Sequence, residues 1–148
     1  MAEGYSLVKT IVQILHDGQT GFADLGEKLK RPDLREFFLA ESANRGKFAT
    51  ELEAELALAK GDTKDIGGTA TGALHRTWAD LKASLGGGDH ALLETAEQGE
   101  DVAKKAYQEA LEAKDLPSSV TRELLTKQQA HILASHDKVK AFRDSTAS

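Results

Sequence analysis

Apolar residues recur along this chain at three- and four-residue spacing in four long stretches, and none alternates with the two-residue period of a strand. The first stretch predicts a helix from about Tyr5 to Lys30, with Leu7, Ile11, Ile14, Leu15, Phe22, Leu25 and Leu29 on one face. Gly18 and Gly21 interrupt it, each costing on the order of 1 kcal/mol relative to alanine. Gly18 falls at the centre of the stripe, where it either admits a bulky neighbour or marks a local break. A second helix starts at Pro32, since proline is tolerated in a first turn, and ends before Gly61. Its stripe is Leu34, Phe37, Phe38, Phe48, Leu52 and Leu56. Asp89 suits the N-cap of a third helix reaching about Lys114, with Leu92, Leu93, Ala96, Ala103, Tyr107 and Leu111 inside. Leu116-Pro117-Ser118-Ser119 predicts a compact turn with a capping serine. The last helix then runs from about Val120 to Arg143 and packs Val120, Leu124, Ile132, Val139 and Phe142. Residues 144–148 form a short tail expected to fray.

The connection from about Lys60 to Gly88 is long for a loop between neighbouring helices. It opens with glycine and threonine and closes on Gly86-Gly87-Gly88. Within it, Ala73 to Leu85 reads as a short helix carrying Trp78, with Leu74 and Leu81 on the same side. Its length suits a crossover running the height of a bundle, about 37 Å for a helix of about 25 residues. Two helical hairpins joined by one long crossover is the ferritin-like plan, so the chain is expected to be all-α, with residues 1–148 forming a single ferritin-like four-helix bundle. Trp78 is expected to plug the bundle end. The glycine runs at Gly67-Gly68 and Gly86-Gly88 would permit the crossover helix to pack on its own bundle or swap into a neighbour.

The 148 residues suffice for one domain with a real core. A net charge of -5 without a basic run argues against nucleic acid. No apolar stretch approaches the roughly 20 residues of a spanning helix, so no membrane partner is expected. With no cysteine, thiol catalysis, zinc-thiolate sites and iron–sulfur clusters are excluded. Met1-Ala2-Glu3-Gly4 lacks the pattern of a signal peptide, and the expected address is cytoplasmic.

Charged and polar residues inside the apolar stripes change the picture most, because an unpaired charge in a bundle core is costly. Glu41 and Arg45 point along the same line as Leu34 and Leu52; Glu100 lies within the third stripe and Glu97 at its edge. In the last helix Gln128 is central, His131 inside and His136 at the margin. Counted from a shared end, Glu41, Glu97 and His136 fall at one level. Arg45, Glu100 and His131 fall at the next, about one turn further, and Gln128 another turn on. Two readings follow. In one, Glu41, Glu97, Glu100, His131 and His136 are metal ligands of a degenerate di-metal carboxylate site for iron, manganese or zinc. In the other, which the residues favour, Arg45 and Gln128 join a metal-free buried network. Glu41 and Arg45 are spaced for an ion pair, a fixed cation would repel a metal, and the chain contains no Glu-x-x-His. No cofactor is firmly predicted. His16, His75 and His90 lie off the stripes and read as exposed or capping. Nothing points to a nucleophilic triad or a phosphate-binding loop.

Several segments resemble a known family: Asp17-Gly18-x-x-Gly21-Phe22, Glu41-Ser42-x-x-Arg45-x-x-Phe48-Ala49-x-Glu51-Leu52, Gly72-Ala73-Leu74-His75-Arg76-x-Trp78-x-Asp80-Leu81-Lys82, Glu97-x-Gly99-Glu100-Asp101 and His136-Asp137. They are similar to the bacterial family of ferritin-like four-helix-bundle proteins classed as a domain of unknown function. The resemblance spans nearly the whole chain, and Gly72 to Lys82 is its most specific part. It implies a ferritin-like bundle with a crossover helix, supplies no activity, and carries an association with general stress responses. Ferritins and rubrerythrins have a fuller ligand set than this chain. The expected role is therefore a non-enzymatic, stress-related bundle that self-associates as a homo-oligomer, a dimer being one option. Its inner polar residues would fix helix register. The alternative is the metal-binding or redox protein.

Overall fold

The structure is a computed structural model that describes residues 3–60 and 88–146. Within these residues the chain forms four α-helices and no strand: α1 (Glu3–Lys28), α2 (Pro32–Lys60), α3 (Gly88–Glu112) and α4 (Ser119–Thr146). The expected Ala73–Leu85 helix with Trp78, Gly67-Gly68, Gly86-Gly87, His75 and residues 147–148 lie outside the described residues.

Short turns make α1–α2 and α3–α4 antiparallel pairs. Arg31 precedes α2 and its carbonyl accepts the first helical bond, from Arg35 N–H at 3.1 Å, with Pro32 following in the position where a missing N–H costs nothing. At the other turn, Ser118 Oγ accepts the N–H of Thr121 at 3.1 Å, the capping geometry the sequence predicts. Arg122 in the first turn of α4 donates to the carbonyls of Leu111 and Ala113 at 3.0 and 2.7 Å, satisfying the end of α3.

Polar ties at the ends set how the two hairpins face one another. The Asp89 carboxylate accepts the N–H groups of Lys30 and Arg31 at 2.9 and 3.2 Å, so the start of α3 lies against the α1–α2 turn. Asp89 thus serves a neighbouring turn rather than capping its own helix, which begins one residue earlier, at Gly88. Ser118 donates to Glu55 at 3.1 Å, bringing the start of α4 to the far end of α2. Consequently α2 and α3 run parallel at diagonal corners, and the end of α2 and the start of α3 lie at opposite ends of the bundle.

The core has two apolar parts. One gathers Tyr5, Val8, Ile11, Val12, Leu15, Leu52, Leu56, Tyr107, Leu125 and Ile132; the other gathers Phe22, Leu25, Leu29, Leu34, Phe38, Leu92, Leu93 and Val139. Between them lies a layer of buried charge. Helix α1 passes through Gly18 and Gly21 without a break, because burial of residues on either side outweighs the glycine penalty. Glycine lets α1 and α2 pack closely: a Cβ at Gly26 would lie 2.9 Å from Leu39 Cγ, and one at Gly46 2.6 Å from Gln19 Nε2.

Two expectations for α4 are corrected. Its inner face is Thr121, Leu125, Gln128, Ile132, Ser135 and Val139, whereas Val120 is 49% exposed and Leu124 only partly buried. The polar Thr121 can occupy the seam because Ser118 and Glu55 satisfy its hydroxyl. The helix also continues to Thr146, past the expected end at Arg143, where His90 Nδ1 meets the Arg143 carbonyl and Thr146 Oγ1 at 3.2 and 3.0 Å.

Candidate functional site

Arg45 sits at the centre of the buried charge layer, with 2% of its surface exposed. Its position on α2, one turn after Glu41, gives an ion pair within the helix, Nη2 to Oε2 at 3.0 Å, and Nε donates to the same oxygen at 3.1 Å. The guanidinium then crosses the bundle. Nη2 lies 2.7 Å from Glu100 Oε1 on α3 and donates to Ser135 Oγ on α4 at 3.1 Å. Ser135 in turn donates to Glu100 Oε2 at 2.5 Å. Arg45 Cζ lies over the Phe22 ring of α1, 4.7 Å from its centre, so all four helices meet at this one side chain.

Glu41 extends the network outward. Its Oε1 is 2.7 Å from His131 Nε2 and accepts from Asn44 at 3.2 Å. Burial alone would raise the Glu41 pKa, but Arg45, His131 and Asn44 together outweigh it and hold the carboxyl below the ordinary glutamate value. His131 is partly exposed at the α2–α4 seam, its ring edge-on to Phe48 with centroids 5.2 Å apart.

A second polar level lies about two turns along α4 from Ser135. Tyr107 donates to Gln128 Oε1 at 2.7 Å, and Gln128 Nε2 donates to Glu51 at 3.2 Å and to the Phe48 carbonyl at 3.4 Å. Burial pushes the Tyr107 phenol well above its usual range, Arg45 opposing and Glu51 reinforcing the shift. This tyrosine is a fixed donor at ordinary pH.

The five candidate ligands therefore separate. Glu41, Glu100 and His131 belong to the Arg45 network. Glu97 pairs with Arg143, which also holds Asp144 at 3.0 Å. His136 lies at the bundle edge, 2.9 Å from Asp101 and 3.4 Å from Asp137. Among the described residues, no group of three or more His, Asp or Glu side chains is placed to hold a metal ion. His16, off the stripes, meets Glu53 at 3.3 Å on the surface. The pattern reading placed Glu41, Arg45, Glu100 and Gln128 inside, and they are buried. It missed Ser135, Glu51 and the Tyr107 hydroxyl. The unbroken four–three spacing from Thr121 through Leu125, Gln128, Ile132 and Ser135 to Val139 was the available signal for Ser135.

The level assignment also changes. With α4 ending three residues later, at about 1.5 Å each, Ser135 comes level with Arg45 and Glu100. Glu97 pairs with Arg143, a long side chain nearer the end of α4.

The sequence profile of the family described as Domain of unknown function (DUF2383) matches residues 5–113. No curated protein matches the chain. The chain belongs to the DUF2383 family.

Proposed function

We propose that this member of the DUF2383 family is a non-enzymatic bundle of ferritin-like plan that acts by self-association, its buried ions fixing the relative height of the helices. The observation that carries this reading is Arg45 itself. One guanidinium takes up Glu41 and Glu100 from two helices and Ser135 from a third, and it lies over the Phe22 ring of the fourth. Sliding α3 against α2 by one turn would strand the buried Glu100 carboxylate, and sliding α4 would take Ser135 away from Arg45 and Glu100, which is how buried polar groups specify register. The ferritin-like plan is supported by the parallel course of α2 and α3.

The donor set does not fit a di-metal centre. Such a centre needs carboxylates facing a cation, and here that place is held by a guanidinium that stays charged at any physiological pH. Stress-related work follows from the family resemblance and is read out by survival of a deletion strain.

Elemental mass spectrometry tests the non-metal reading, on untagged protein before and after incubation with Fe(II), Mn(II) and Zn(II). The expected result is no stoichiometric metal. Stoichiometric metal that disappears in Glu100→Gln, with the fold retained, would overturn it and make oxidase and peroxidase assays the next step.

A further inference from the structure

The outer face of α2 is chemically unlike the outer face of α3. On α3 the exposed positions at four–three spacing are Glu94, Gln98, Asp101, Lys105, Gln108 and Glu112, a solvated surface. At the same spacing α2 exposes Glu36, Ala40, Ala43, Lys47, Thr50 and Ala54. Beside that seam Leu39 is 43% exposed, and near its end Leu58 is 81% exposed. Only two charges lie on the seam, and neither Glu36 nor Lys47 makes an ion pair among the described residues.

Those two charges are arranged as a palindrome. Glu36 stands four residues before Ala40, and Lys47 stands four residues after Ala43. Read backwards, the segment presents the same sizes in the same places with the charges exchanged. A helix laid antiparallel on its own copy, with Ala40 opposite Ala43, therefore places each Glu36 opposite Lys47 of the other copy.

We propose that two copies of this chain dimerise through the outer faces of their α2 helices, antiparallel about Ala40 and Ala43, with two reciprocal Glu36–Lys47 pairs. The proposal rests on the self-association reading and names its surface. The small side chains let the helix axes approach to about 8 Å, the near end of the usual range. Charge selects this register over its rivals. A parallel pair stacks Lys47 on Lys47 and Glu36 on Glu36, and an antiparallel pair centred on Lys47 stacks the two lysines at the axis. The pairing is isologous, so it closes as a dimer and does not propagate.

Multi-angle light scattering of the full chain, read with sedimentation equilibrium, tests this. Wild type should be a dimer. Lys47→Glu and Ala43→Glu should each weaken association by about tenfold or more, with helix content by circular dichroism unchanged because both sites are exposed. The double exchange Glu36→Lys with Lys47→Glu should restore the dimer. A wild type that stays monomeric at all concentrations overturns self-association and this surface together. A dimer indifferent to Ala43→Glu leaves self-association standing and removes α2 as its interface. Failure of the double exchange to rescue overturns the antiparallel register.

Discussion

Helices α2 and α3 run parallel at opposite corners of the bundle, yet they sort their residues differently. Helix α3 follows the usual rule: Leu92, Leu93, Ala96 and Tyr107 face inward, its outer positions are charged or amide, and Glu100 is its one inner charge. Helix α2 departs from it in part: beside its buried Leu34, Phe38, Ala49, Leu52 and Leu56 it also buries Glu41, Ser42 and Arg45, and it exposes Leu39, Ala40, Ala43, Ala54 and Leu58. The two facts are complementary. The inner charges of α2 are explained by Glu100 and Ser135 across the core, so they answer to the fold. Its outer alanines, Ala40, Ala43 and Ala54, are exposed on one face, which is why that face points to a second copy.

Each side of that contrast can be broken separately. Arg45→Met should have the largest effect, a loss of about 3–5 kcal/mol in urea unfolding, because it leaves Glu41 and Glu100 buried without their cation. Tyr107→Phe should cost about 1–2 kcal/mol by removing the donor to Gln128 inside the same core.

Acid should act through Glu41. Its carboxyl is held below the ordinary value in the folded state, so its contribution is complete above the unfolded pKa. That contribution fades as pH falls through the folded pKa. Glu41→Gln should therefore flatten the acid limb of stability below the ordinary glutamate pKa, and an unchanged limb would contradict the assignment.

Gly18→Ala should stabilise by up to about 1 kcal/mol, read as a rise in melting temperature. A Cβ there meets only Phe22 at 3.9 Å, an ordinary contact. On the outer side, Ala43→Glu should leave monomer stability within about 0.5 kcal/mol, since the position is exposed. A large loss there would mean the outer face of α2 serves the fold after all.

Much of this architecture was legible from apolar spacing. The four helices, the Pro32 start, the Ser118 cap and the inward placement of Glu41, Arg45, Glu100 and Gln128 all follow from local pattern, which a helix obeys over many residues. Pairing between helices was harder to read, because it depends on end positions that local pattern sets only to within a turn. Three extra residues on α4 were enough to move Ser135 into the Arg45 layer. Val120 was placed inside because it is apolar and near the stripe. Thr121 took the position because partners at the bundle end satisfy its hydroxyl. Polar residues that bury only when partnered are the ones a single sequence hides best.

The central claim is that the buried ions of α2 exist as a mutually satisfied unit. It is tested most directly by comparing urea unfolding of Arg45→Met with that of the triple variant Glu41→Leu, Arg45→Met, Glu100→Leu. The account predicts a loss of about 3–5 kcal/mol in the single variant and recovery of most of it in the triple, where no buried charge is left alone. A single variant within about 1 kcal/mol of wild type would contradict it, since a cation that can be removed without consequence is not what holds these carboxylates in the core.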